Sequence, residues 1–285
     1  AMIGKDFNSL IDLVKAFPTE QSCIDHLTEL RWNGYVVSPF NPTSKVYKCK
    51  GNKYRCKNTG KYFNVRTNTL FDNTKIELIK WFMAIWLVTG HKKGISSLQL
   101  SRDINVTQKT AWFMLQRIRK CFGCENDHDL NNEVEIDETF VGGKNKNRYA
   151  DMKVPHNTGR AHIDKMPVWG MVERTLVEHI TPEVVRNAKD VMVYTDEWVG
   201  YKQVNRIYNH LFVKHGEDEC VNGRIYTNTI EGFWSILKRG IVGIYHFTSC
   251  KHIQRYVDEF LFRSTPASIP RWNALTCFCE TPSIT

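Results

Sequence analysis

Apolar positions recur along the first part of the chain at the three- and four-residue intervals of amphipathic helices. Leu10, Leu13 and Val14 predict a helix over 7–17, and Cys23, Ile24, Leu27 and Leu30 a second over 19–32. The pattern then breaks at Pro39, Pro42, Gly51 and Gly60, and short runs at 46–50, 53–56 and 62–66 predict three strands with polar turns. A nearly all-apolar run follows, with Ile79, Phe82, Met83, Trp86 and Leu87. A capping box at Thr74-Lys75-Ile76-Glu77 should open this helix and Gly90 end it, making it the strut of a small bundle. Residues 95–122 read as helix, turn, helix. Leu98 and Leu100 lie on the first, Ile104-Asn105-Val106 forms the turn, and Thr107 caps a second with Ala111, Met114, Leu115 and Ile118 as its stripe.

After a polar stretch at 124–132 the period shortens. Residues 134–137, 140–141, 168–172 and 191–195 read as strands, with a turn at Gly142-Gly143 and a long polar loop over 144–165. Helices are predicted at 182–188, 198–208, 229–238 and 249–263, the last capped by Ser249 and striped by Ile253, Tyr256, Val257, Phe260 and Leu261. The domain plan is therefore N-terminal helices (1–34), a basic stranded module (35–72), a helix-turn-helix domain (73–124), an α/β domain (125–265) and a tail (266–285). Its fold class is α+β multidomain.

Composition excludes several classes. With 285 residues, 42 % hydrophobic and 24 % charged, the chain is a globular protein rather than a disordered one. Its most apolar run, 81–88, is far shorter than the roughly 20 residues that span a bilayer, so no membrane partner is expected. Nine cysteines, irregularly spaced and with no signal-peptide pattern ahead of them, point to a reducing compartment rather than a secreted disulfide scaffold.

The charge has a place as well as a total. Lys+Arg number 39 against 30 Asp+Glu, a net charge of +9. Between Asn41 and Phe71 lie Lys45, Lys48, Lys50, Lys53, Arg55, Lys57, Lys61 and Arg66, with no acidic residue and with Tyr47, Tyr54, Tyr62 and Phe63 interleaved. Cations to neutralise phosphates, with aromatic faces among them, suit a nucleic acid. The helix-turn-helix adds Gln108 and Lys109 at the start of its second helix, where base edges are read in the major groove.

Three carboxylates carry the candidate chemistry. Asp137 ends the alternation Val134-Glu135-Ile136-Asp137, Asp196 follows the 191–195 run, and Glu231 sits in the 229–238 helix, with 34 residues between the last two. Two strand-end aspartates and a helical glutamate would form a cage of hard oxygens suited to two Mg²⁺ ions, which support phosphoryl transfer. Lys238 closes the same helix and Arg239 follows it. Lys238 is two turns beyond Glu231, on the same face and within reach of DNA phosphate.

The segments Val134-Glu135-Ile136-Asp137-Glu138-Thr139-Phe140-Val141-Gly142-Gly143-Lys144, Tyr194-Thr195-Asp196-Glu197-Trp198 and Thr227-Asn228-Thr229-Ile230-Glu231-Gly232-Phe233-Trp234-Ser235-Ile236-Leu237-Lys238-Arg239-Gly240 resemble the signature blocks of Merlin transposases. These eukaryotic cut-and-paste elements are related to bacterial insertion-sequence transposases with an ISXO-like integrase core. Tyr256-Val257-Asp258-Glu259-Phe260 with Arg263 also fits, and the resemblance spans nearly the whole chain. It implies a zinc-ribbon-like module, a ribonuclease-H-like (integrase-type) core, and an Asp, Asp, Glu triad at Asp137, Asp196 and Glu231, with Asn228 a lesser candidate for the third place. It further implies two Mg²⁺ ions (replaceable by Mn²⁺), double-stranded DNA as partner (terminal inverted repeats and target), and a homodimer or larger assembly. The expected location is the nucleus in a eukaryotic host and the cytoplasm or nucleoid in a bacterial one. The alternative reading is a domesticated DNA-binding protein that no longer transposes.

Two departures from the family pattern matter. The positions of two Cys-x-x-Cys pairs read Ser38-Pro39-Phe40-Asn41 and Cys56-Lys57-Asn58-Thr59, one thiol of four, so no zinc is expected. Cys121 and Cys124 with His128, and Cys277 with Cys279, are read as thiols rather than ligands. Residues 174–190 are read as a helix and little more, where the family fits a further strand before the helix.

Overall fold

The computed structural model describes residues 7–123, 133–142, 149–153, 155, 165–173, 192–195, 209–212 and 227–264. The chain divides into two compact units after Cys124. The helices expected at 182–188 and 198–208, the segment 174–190 and the tail 266–285 lie outside the described residues.

The first unit contains α1 (Leu10–Ala16), α2 (Glu20–Trp32), β1 (Val46–Cys49), β2 (Lys53–Cys56), β3 (Tyr62–Phe63), α3 (Leu78–Gly90), α4 (Ser97–Asp103) and α5 (Gln108–Phe122). Local chemistry sets most of these boundaries. The hydroxyls of Ser9, Thr19, Ser96 and Thr107 each accept a first-turn backbone N–H of the helix that follows. The β1–β2 turn uses Gly51 and Asn52, both at positive φ (72° and 57°), which a tight hairpin requires. Trp81 and Phe82 of α3 are fully buried, and Phe82 meets Phe17 edge-on with ring centroids 5.0 Å apart.

The start of α3 departs from expectation. Thr74 does not cap it; its hydroxyl donates to Phe71 O at 3.0 Å. The Arg66 guanidinium donates to the carbonyls of Thr74 and Ile76, which holds 74–76 as a link rather than a first turn. The helix therefore begins at Leu78, whose N–H donates to Glu20 Oε2 at 2.8 Å, and Arg66 pairs with the other oxygen of Glu20. A residue of α2 thus does the capping that the local box was expected to do.

The second unit contains β4 (Glu133–Val141), β5 (Met166–Glu173), β6 (Met192–Thr195), β7 (Asn209–Phe212), α6 (Asn228–Gly240) and α7 (Ile253–Ser264). Its sheet runs in the order β5-β4-β6-β7, antiparallel at β4–β5 and parallel at β4–β6 and β6–β7. β4 is one continuous strand, where two short pieces were expected, because β5 pairs with it from Val134↔Glu173 to Val141↔Met166. β7 was not expected at all. Ser249 does not cap a long helix either; it precedes a 3₁₀ turn at Cys250–His252, and α7 begins at Ile253.

Val141, Val168 and Val172 of the sheet pack with Ile230, Phe233, Trp234 and Leu237 of α6 and with Val257 and Phe260 of α7. Gly240 permits the close approach of the two helices, since a Cβ there would lie 2.0 Å from Phe260 Cζ. In an open helix Gly→Ala would be favourable by about 1 kcal/mol. Here an overpacking cost of about 1–3 kcal/mol opposes it, because the Phe260 ring is fully buried and cannot swing clear. Gly240→Ala should lower the urea midpoint of the second unit, and Phe260→Leu in the same chain should recover part of the loss. An unchanged midpoint for Gly240→Ala would show that the ring has room to move.

Candidate functional site

In the first unit the basic strands form an exposed face. Lys45, Lys48, Lys50, Lys53, Arg55 and Lys57 are all exposed. Arg66 is taken out of this set by its bonds to Glu20 and to the carbonyls before α3. On α5, Gln108 and Lys109 are exposed, whereas the basic end of the helix is engaged. Arg117 donates to Leu70 O at 2.8 Å and Asp72 O at 2.7 Å, burial lowers its pKa, and Arg119 is buried.

Within the stranded module Cys56 is buried, and the side chains of Ser38, Ser44 and Thr59 hydrogen-bond its sulfur. These bonds hold its pKa down at about 6. The 38–41 and 56–59 segments, where a zinc ribbon would carry its two Cys-x-x-Cys pairs, thus meet through the Ser38 and Thr59 hydroxyls on Cys56, with Ser44 beside them. The Ser38 and Ser44 oxygens also accept the backbone N–H groups of Phe40 and Asn58, at 3.2 and 3.0 Å.

In the second unit Asp137 lies half-buried in the middle of β4, directly opposite Gly170 of β5. Glu135, two residues earlier and on the same face, is fully buried. It accepts the Thr229 hydroxyl on Oε1 and the Ile230 N–H on Oε2, each at 3.0 Å. A carboxylate at a helix N-terminus meets both unsatisfied N–H groups and the positive end of the helix dipole. Glu135 therefore fixes the first turn of α6 against the stretch of β4 that carries Asp137.

Glu231 is in that first turn. It is exposed, and its Oε1 accepts the hydroxyl of buried Thr227 at 2.8 Å. Asn228 and Lys238 are also exposed on α6, as is Arg239, whose Nε donates to Ser235 O. Asp196 lies outside the described residues. It follows Thr195, the buried last residue of β6, whose hydroxyl is 2.7 Å from Nε2 of His210 on β7. Burial lowers the pKa of His210. Among the described residues no three His, Cys, Asp or Glu side chains gather into a metal-holding set.

Sequence reasoning missed Glu135. Its parity with Asp137 in β4 was visible, but nothing local says that a helix 95 positions away will cap itself on this carboxylate.

Comparison with known proteins bears on the second unit most directly. Residues 129–265 match the ISXO2-like transposase domain. Over 293 aligned residues the chain is also 27 % identical to an uncharacterised protein in transposable element ISH50 of Halobacterium salinarum, covering 94 % of this chain and 98 % of that one. Together these support a transposase role of the insertion-sequence kind; neither singles out the Merlin group. No helix among the described residues is long and apolar enough to cross a membrane.

Proposed function

We propose that this chain is a DNA transposase that binds the ends of its element and cleaves and joins DNA strands with Mg²⁺ as cofactor. The observation that carries the reading is the clamp by Glu135, which joins the Asp137 strand to the Glu231 turn inside the segment matching the transposase domain. The mixed sheet β5-β4-β6-β7 with α6 packed on it is consistent with a ribonuclease-H-like core.

Asp137, Asp196 and Glu231 are the proposed metal ligands. Their donor set fits Mg²⁺, which takes carboxylate and water oxygens, and Mn²⁺ can replace it. Along the sequence, Asp137 and Asp196 are separated by the same number of residues as Glu135 and Tyr194, which pair between β4 and β6. Bound by these carboxylates, two Mg²⁺ ions would supply positive charge for phosphoryl transfer. The remaining work belongs to the chain. The Thr227 hydroxyl orients Glu231, Glu135 holds the helix that carries it, and Lys238 and Arg239 offer cations to the DNA backbone. Glu231 is preferred to Asn228 as third ligand because a carboxylate binds Mg²⁺ better than an amide.

The first unit is proposed to bind the terminal repeats, with the basic strands on phosphates and Gln108 and Lys109 on base edges. The stranded module is proposed to work without zinc, since Ser38, Ser44 and Thr59 hydroxyls, poor zinc ligands, surround the one remaining thiol, Cys56. Handling two element ends together calls for a homodimer or larger assembly.

Purified chain should bind duplex DNA and, given Mg²⁺, nick a duplex that carries the element's end. Changing Lys48, Lys50 and Lys53 together to Ala should weaken binding to many sequences alike. It should also flatten the salt dependence by a slope of about 0.9 per lost phosphate contact. Unchanged affinity and slope would remove the basic strands from the interface.

A further inference from the structure

The outer face of the β1-β2-β3 sheet carries a row of side chains set directly across from one another. Tyr47 pairs with Arg55, and Arg55 pairs with Tyr62, so the three lie side by side on neighbouring strands and project to one side. The opposite face is the packed one, where Tyr54 and Phe63 meet Trp32 with centroids 5.3 and 6.1 Å away. Tyr47 and Tyr62 are 43 % and 60 % exposed. Each has a cation over its ring: Lys45 Nζ stands 5.6 Å from the Tyr47 centroid and the Arg55 guanidinium 5.7 Å from that of Tyr62. Lys53 and Lys57 share the parity of Arg55 along this stretch, and no acidic residue occurs between Asn41 and Phe71.

Phosphate binding by a duplex needs the lysines but gives no use to two half-exposed rings, because the base faces of a duplex are already stacked on each other. Unpaired bases have free faces. Stacking on aromatic side chains beside a cationic track is how sheets hold single strands without sequence preference. We propose that the Tyr47–Arg55–Tyr62 row is a stacking platform for unpaired DNA bases, with Lys45 and Lys53 on the flanking phosphates. It rests on the reading of this module as a DNA-binding surface and extends it to strands opened beside the element's end.

The test uses the full chain and fluorescence anisotropy with a 12-nucleotide oligothymidine and a duplex of arbitrary sequence as separate probes. Tyr62→Ala and Tyr47→Ala should each weaken oligothymidine binding roughly ten-fold, while Tyr62→Phe keeps it and duplex affinity changes less than two-fold in all three. The proposal is overturned if the parent chain does not bind oligothymidine, if both alanine variants bind it as the parent does, or if single-strand and duplex affinities fall together. Failure of the parent chain to bind duplex, with oligothymidine binding still ring-dependent, would overturn the duplex reading and leave the platform standing.

Discussion

Glu259→Ala is expected to destabilise the second unit by about 3–5 kcal/mol, the usual cost of stranding one member of a buried ion pair. Glu259 is fully buried on α7 and pairs with Arg263 one turn later, whose side chain is 6 % exposed. The same carboxylate accepts the Tyr245 hydroxyl at 2.9 Å, at the end of the π-helical turn that follows α6. Removing it leaves a guanidinium in the core and frees the turn that ties α6 to α7. Glu259→Gln keeps an acceptor for Tyr245 but not the charge, so it should lose nearly as much. Glu259→Leu with Arg263→Met removes both charges and should recover most of the stability, because well-packed apolar replacements of buried pairs are often neutral. Urea unfolding reads all three. A single variant within 1 kcal/mol of the parent would mean that water reaches Arg263.

The elements set by local chemistry were legible in the sequence: the capped helices α1, α2, α4 and α5, the Gly51-Asn52 hairpin, and the apolar stripes of α6 and α7. What was not legible depended on residues far apart. Glu20 supplies the cap of α3 and Glu135 that of α6, and no pattern near either helix announces a carboxylate arriving from another element. Composition equally could not say that Arg66 and Arg117 are spent on carbonyls while Lys45, Lys48, Lys50 and Lys53 face solvent. β7 was missed because Leu211 and Phe212 are exposed, so the strand has no buried stripe to reveal it. The candidate site was half legible. Three carboxylates could be picked out by position and resemblance, but Glu135 and Thr227, which hold the turn carrying Glu231, became visible only in the fold.

The largest effect expected on activity follows from charge. Two Mg²⁺ ions bring four positive charges, and Asp137→Asn, Asp196→Asn or Glu231→Gln each removes one negative charge while keeping shape. Each variant should fold and bind duplex DNA as the parent does, yet lose nicking and joining by about a hundred-fold or more, as when one electrostatic element of a preorganised site is deleted. Asn228→Ala should retain most activity, and Lys238→Ala should weaken DNA binding more than it slows the chemistry. If Glu231→Gln cleaves normally while Asn228→Ala is inactive, the third ligand is Asn228.

One assay bears most directly on the central claim: nicking of a duplex carrying the element's end by the parent chain and by Asp137→Asn, side by side in Mg²⁺, with Ca²⁺ to show that both bind. The account predicts nicked product from the parent alone, at equal binding. Equal nicking by Asp137→Asn, or a parent that binds the duplex and never cuts it, would contradict it.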